Sequence, residues 1–168
     1  FALLAGVVST AMITFHGAIY LAHRTEGDIQ RRATTAALIF GVLMLVGFSA
    51  AGLWIANGSF GYAITSAIDT AALPNPLAKT AELLPGAWLA NYASAPLTML
   101  VPALAYAGGI AALLLVWKGR TLTAFAASSF AIVGVIGTAG VSMFPFVMPS
   151  STVPGASRSS RPVAGANP

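Results

Sequence analysis

Two histidines, His16 and His23, stand two helical turns apart within the first uncharged stretch of the chain and at its edge. An ionisable side chain inside an apolar run is a functional hypothesis by default. As a haem or metal ligand, His16 would need a His or Met on a facing helix, and there is no second buried histidine to supply one. Met12, Met44, Met99 and Met143 read as ordinary core. The less demanding reading is a neutral imidazole hydrogen-bonded to a neighbouring helix or subunit. His23 adjoins Arg24 at the membrane boundary and is expected to be solvated. The string Arg24-Thr25-Glu26-Gly27-Asp28 packs opposite charges into a few residues. It reads either as a solvated turn, whose surface pairs contribute about 0–1 kcal/mol each, or as a docking surface for a partner subunit. Asp69 is a candidate proton-path carboxylate, but nothing nearby in sequence pairs with it or with Glu82, so both read as loop. The string from Phe144-Pro145-Phe146 to Thr152 ends a helix in a proline-broken aromatic turn, followed by hydroxyls that can donate to the freed carbonyls. No zinc-binding His pair, phosphate loop or nucleophile elbow is present, and no cysteine.

The elements that must position these groups follow from composition. Of 168 residues, 57% are hydrophobic and 7% charged, against about 25% charged in an average soluble domain. Residues 1–23, 33–68, 83–117 and 121–157 carry no charge, and a crossing needs about 20 apolar residues. A soluble enzyme, a disordered tail and a nucleic-acid-binding module are excluded on these grounds. The spacing predicts an all-α membrane protein with four transmembrane helices in an antiparallel bundle. The first runs from about Phe1 to Ala22 and the second from about Ala33 to Asn57. The third begins near Ser94-Ala95-Pro96, with Ser94 as cap, and ends at Trp117. The fourth runs from Thr121 to the break at Pro145. The domain layout is a hairpin over 1–57, an outer loop over 58–93, a second hairpin over 94–149 and a disordered tail over 150–168. Gly61 to Ala72 is expected to form a short interfacial helix, with Trp88 and Tyr92 as headgroup anchors.

The formal charge of +4 is gathered rather than spread. Arg24, Arg31 and Arg32 fall in one short connection and Lys118 and Arg120 in another, which places both inside and the amino terminus outside. Gly47/Ala51, Ala103/Ala107/Ala111 and Gly134/Thr138 are candidate close-packing pairs between helices. The chain opens on Phe1 in an apolar run, without Met or a basic leader, and is expected to be a fragment.

Four strings, in order, resemble subunit II of the cytochrome bd-type quinol oxidases. They are His16-Gly17-Ala18-Ile19-Tyr20-Leu21 leading to Arg24-Thr25-Glu26-Gly27; Pro74-Asn75-Pro76-Leu77 with Gly86-Ala87-Trp88-Leu89; Thr138-Ala139-Gly140-Val141-Ser142-Met143; and the Phe144 to Thr152 string. The match spans about residues 2–157 and is similar to the second half of that subunit, so the bundle is one half of a larger multi-span protein. The resemblance implies a place in the bacterial cytoplasmic (inner) membrane, in a heterodimeric complex that oxidises quinol and reduces dioxygen to water. It implies haems b and d in subunit I, none in this chain, and a stabilising role beside that partner. Small accessory subunits and a structural quinone are also implied, with no quinone-contact residues assigned. His16, Arg24, Glu26, Trp88, Phe144 and Pro145 are the candidate helix-packing or subunit-interface residues, and no catalytic residue is expected here. The tail departs from the family after about Ser157, as a truncated or frameshifted reading would. A half-transporter, suggested by Pro102 and Gly108-Gly109, and a plain assembly scaffold are the competing readings.

Overall fold

The computed structural model describes residues 1–58, 61–64, 81–84, 86–144, 146–148 and 158–159. Among these residues, four helical segments are long and apolar enough to cross a membrane. They are α1 (Ala2–Arg24), α2 (Gly27–Asn57), α4 (Leu100–Trp117, entered through a 3-10 turn at Pro96–Met99) and α5 (Thr121–Met143). A short α3 (Ala90–Ser94) follows the 3-10 turn Ala87–Leu89. The chain is thus an all-α membrane bundle with two small additions. β1 (Tyr62–Ile64) pairs antiparallel with β2 (Ala81–Leu83), and β3 (Phe146–Met148) with β4 (Arg158–Ser159).

The chain divides into two compact units, Phe1–Trp54 with Met99–Thr138, and Ile55–Thr98 with Ala139–Pro168. In the first, the four long helices close a ring in which each meets two others. Phe15 of α1 lies over Gly41 of α2, and Val8 over Gly47. Leu45 and Met44 of α2 lie against Gly109 of α4, and the Phe48 and Tyr106 rings sit 5.3 Å apart. Gly134 of α5 lies against the backbone of Ala105, and Gly108 of α4 against Ala127 and Ala131. A hydrogen bond between α5 and α1 completes the circuit.

Small side chains make this possible. The buried cluster contains Ala11, Ala18, Ala37, Ala112, Ala124 and Ala131 around Phe15, Ile19 and Met44. Lipid tails are as apolar as leucine, so burying leucine between helices gains little in a bilayer. Close backbone approach and dispersion contacts hold the helices instead. At Gly134 a Cβ would collide with the Ala105 backbone, and at Gly108 it would lie 2.6 Å from the Ala131 nitrogen.

Several expectations need correction. Ala103 and Ala107 face outward, and the packing stripe of α4 is Ala105, Gly108, Gly109 and Ala112. Apart from Tyr106, every residue of α4 is apolar or small, so hydrophobic periodicity carries no sign of which face is inside. The second long helix begins at Gly27, not Ala33. Asp28 in its first turn pairs with Arg31 at 3.3 Å and complements the helix dipole, which extends the helix through polar residues. Ser94 does not cap the next helix. Its hydroxyl donates back to the Asn91 carbonyl at 3.1 Å and closes α3. Tyr62–Ile64 form strand rather than the expected interfacial helix, and residues 65–72 of that expectation lie outside the described residues. In the expected disordered tail, Arg158–Ser159 form β4, and the other tail residues lie outside the described set.

In the second unit the Leu84 amide donates to the Gly61 carbonyl at 3.0 Å, extending the β1–β2 pairing. Gly86 then turns the chain with φ of 77°, a left-handed value that favours glycine.

Candidate functional site

Polar side chains bridge the four-helix unit on two seams: Ser49 Oγ lies 2.9 Å from the Tyr106 hydroxyl between α2 and α4, and two histidines line the seam between α1 and α5. The Nδ1 of His16 lies 2.7 Å from Ser128 Oγ, and the Nδ1 of His23 lies 3.0 Å from Thr121 Oγ1. Because α1 and α5 run antiparallel, residues seven apart on one helix meet residues seven apart on the other. The two histidines and two hydroxyls therefore form two rungs of one ladder. Ser128 is completely buried, whereas the His23 rung is exposed. The Ser128 hydroxyl donates to the Phe125 carbonyl at 2.8 Å. Its single hydrogen is thereby used, so its oxygen accepts from the His16 Nδ1–H. His23 is exposed as expected, but it is also bonded across the seam.

Aromatic rings run along the same seam. The His16 imidazole stacks on Phe125 with centroids 4.4 Å apart and planes inclined by 26°. Tyr20 lies 5.8 Å from Phe125 on the side toward the helix end. The Arg24 guanidinium carbon sits 5.8 Å from the centre of the Tyr20 ring, within cation–π range. His16 and Arg24, singled out separately from sequence, thus belong to one continuous stack: His16, Phe125, Tyr20, Arg24.

Glu26 is exposed in the two-residue connection between α1 and α2 and joins no ion pair among the described residues. This turn is closed by Thr25, from the same string, and by Gln30, which sequence reasoning passed over. The Thr25 hydroxyl donates to the Leu21 carbonyl at 2.8 Å, and Gln30 Nε2 reaches back to the Ala22 carbonyl at 3.1 Å. Both satisfy carbonyls that a helix end leaves open.

The remaining candidates belong to the second unit. Trp88 is half-buried in the Ala87–Leu89 turn, and Phe144 is exposed immediately after α5. Pro145 lies outside the described residues, as do Asp69 and Lys79. The residue that organises this end is Asn91, again unforeseen. Its Nδ2 donates to the Val141 carbonyl at 2.8 Å and the Phe144 carbonyl at 2.6 Å. Beside it the Tyr92 hydroxyl lies 3.1 Å from Ser142 Oγ, both side chains buried. The signal available in sequence was an amide in a stretch with few other polar groups, one residue before a tyrosine. Tyr92 was expected as a headgroup anchor. It is buried against α5 instead, because its hydroxyl has a partner there.

The donor set does not suit a haem held by this chain alone. An imidazole bonded through Nδ1 leaves Nε2 as a potential ligand. His23, the other histidine, lies on the same helix about 10 Å along its axis and cannot face His16 across a macrocycle. Met12 and Met44 are packed inside the bundle. Among the described residues no group of three His, Cys, Asp or Glu side chains could hold a metal ion. The two features of α4 that would suit a transport path have local explanations. Pro102 falls in the first turn, where no intrahelical N–H is needed, and Gly108 and Gly109 are contact points with α5 and α2.

Comparison with known proteins follows the same lines. A family model described as cytochrome bd terminal oxidase subunit II matches residues 1–164. The chain is 41% identical over 157 residues to cytochrome bd-I ubiquinol oxidase subunit 2 of Escherichia coli strain K12, covering 94% of this chain and 41% of that protein. It is 40% identical over 154 residues to a "Probable cytochrome oxidase subunit 2" of Haemophilus influenzae, covering 92% of this chain and 40% of that one. The chain therefore spans about two fifths of the length of the curated relatives it matches.

Proposed function

This chain belongs to the cytochrome bd terminal oxidase subunit II family, and from that premise we propose that it is the non-haem-binding part of a quinol-oxidising, dioxygen-reducing complex. In this reading it stabilises a haem-bearing subunit I in the bacterial cytoplasmic membrane, with haems b and d held by that partner. Its own work is mechanical. The four helices present a rigid, small-residue bundle whose outer surface is apolar and can meet both lipid and another subunit. Quinol is the substrate of the complex, small accessory subunits complete the assembly, and a structural quinone sits in subunit II without an assigned side chain here. Both basic turns face the cytoplasm.

The observation that carries this reading is the engagement of His16. The mid-span group best suited to chemistry is spent on an interhelical hydrogen bond to buried Ser128 and on stacking against Phe125. An imidazole held in this way fixes two helices against each other.

The test is co-production of subunit I with a complete subunit II, or with a version from which the region equivalent to this chain is removed. Visible absorbance of the purified complex and quinol-dependent oxygen consumption are the readouts. Full haem absorbance and oxidation are expected only with the complete subunit. A haem band from the purified 168-residue chain alone would overturn the division of labour. Unimpaired oxygen consumption without the region would reduce it to a passive scaffold.

A further inference from the structure

The basic residues at one end of the four-helix unit have more positive charge than their surroundings neutralise. Arg24, Arg31, Arg32, Lys118 and Arg120 meet only Glu26 and Asp28 there, an excess of three positive charges. The His23–Thr121 rung brings the two turns that carry them side by side. Asp28 is already paired with Arg31. Lys118 and Arg120 pair with no carboxylate among the described residues, and both are exposed.

The backbone of the second turn is satisfied from within. The Lys118 amide donates to the Leu114 carbonyl, that of Gly119 to Val116, and that of Arg120 to Leu115, at 3.1, 2.9 and 2.8 Å. Gly119 has φ of 73° and reverses the chain, setting one cation on either side of it. The unmet demand of this turn is therefore charge alone. Directly below, α4 presents Ile110, Leu114 and Trp117 at spacings of four and three, one exposed stripe leading to Lys118. Trp117 is 74% exposed, an amphipathic ring at the depth where tryptophan meets headgroups.

A cationic turn continuous with an apolar stripe matches a ligand that is negative at one end and hydrocarbon at the other. We propose that Lys118 and Arg120 hold the phosphate of an anionic phospholipid whose acyl chain lies along Trp117, Leu114 and Ile110. The lipid completes the charge balance of the turn and covers an α4 face that the bundle leaves open. This inference does not depend on the oxidase reading, because it needs only a bilayer.

The experiment uses the full chain with Trp54→Phe and Trp88→Phe, leaving Trp117 as the one tryptophan. It is reconstituted in phosphatidylcholine vesicles containing either brominated phosphatidylglycerol or brominated phosphatidylcholine at equal mole fraction. The anionic lipid is expected to quench Trp117 at a severalfold lower mole fraction. That preference falls roughly fivefold for each cation removed in K118Q and R120Q, survives in the K118R/R120K double variant, and weakens as salt is raised. The native-tryptophan chain, read as the fraction of emission quenched, gives the same ordering and controls for damage from the Phe substitutions. Equal quenching by the two lipids overturns the proposal, as does a preference that K118Q and R120Q leave intact. Quenching by neither lipid means that Trp117 does not meet lipid, which also overturns the proposal. Loss of the preference on adding inorganic phosphate means that the turn binds a free anion, which also overturns the lipid assignment.

Discussion

A buried hydroxyl that accepts from an imidazole cannot be replaced by water, so the two rungs of the α1–α5 ladder should differ in worth. Ser128→Ala leaves His16 Nδ1 without its acceptor inside the bundle. A loss of about 1 kcal/mol is expected, in the range of polar contacts between membrane helices. Thr121→Ala affects an exposed rung that water can replace, and should cost no more than about half as much. Reversible unfolding in mixed detergent micelles measures both, and equal losses would contradict the burial difference. A hydrogen-bonding role for His16 was available from sequence, because a lone polar group inside a span needs a partner. Its identity was not. Segment four offers Thr121, Thr123, Ser128, Ser129, Thr138 and Ser142, and only the helix rotation and register pick Ser128. Asn91 is the larger omission. Its role is to satisfy carbonyls left open where α5 ends before a proline, and that demand appears only once α3 is folded beside them.

Helices packed through alanine and glycine tolerate bulk on one face and not on the other. Gly134→Val places branched carbon against the Ala105 backbone, where no side chain can move aside. It should separate α4 from α5 and abolish the folded bundle, a loss beyond about 3 kcal/mol by comparison with severe overpacking. Ala107→Leu adds the same three carbons on an outward face and should change stability by less than about 0.5 kcal/mol. Thermal aggregation of the two variants in the same detergent separates them, and similar midpoints would put the packing face of α4 elsewhere. The existence of the long helices was readable from charge-free stretches, since the length of an apolar run is a one-dimensional property, whereas the start of α2 was not, because its first turns are polar. The rotation of α4 was not. Ala103/Ala107/Ala111 and Ala105/Gly108/Gly109/Ala112 are equally small and apolar, and which face is inside depends on what the neighbouring helices present.

The fold class and family were readable in the sequence because the matching strings are spread in order along the whole bundle. The segment between α2 and α4 was less so. Its strand pairing joins residues about twenty apart, through backbone bonds that leave little trace in side-chain pattern. The threading itself is testable, as the chain has no native thiol to interfere. Glu26→Cys and Lys118→Cys should be labelled by a membrane-impermeant maleimide only after sealed cells are opened, and Met99→Cys before. Labelling of Glu26→Cys from outside would invert the threading. One further consequence lies in the tightness of the turns. With two residues between α1 and α2 and three between α4 and α5, neither pair has slack for one helix to ratchet a turn past its mate. Each hairpin is a staple. If the bundle breathes, the hairpins must part or rock as whole bodies, and the histidine ladder between α1 and α5 is one of two clasps, beside the Ser49–Tyr106 bond between α2 and α4, that such a motion would strain.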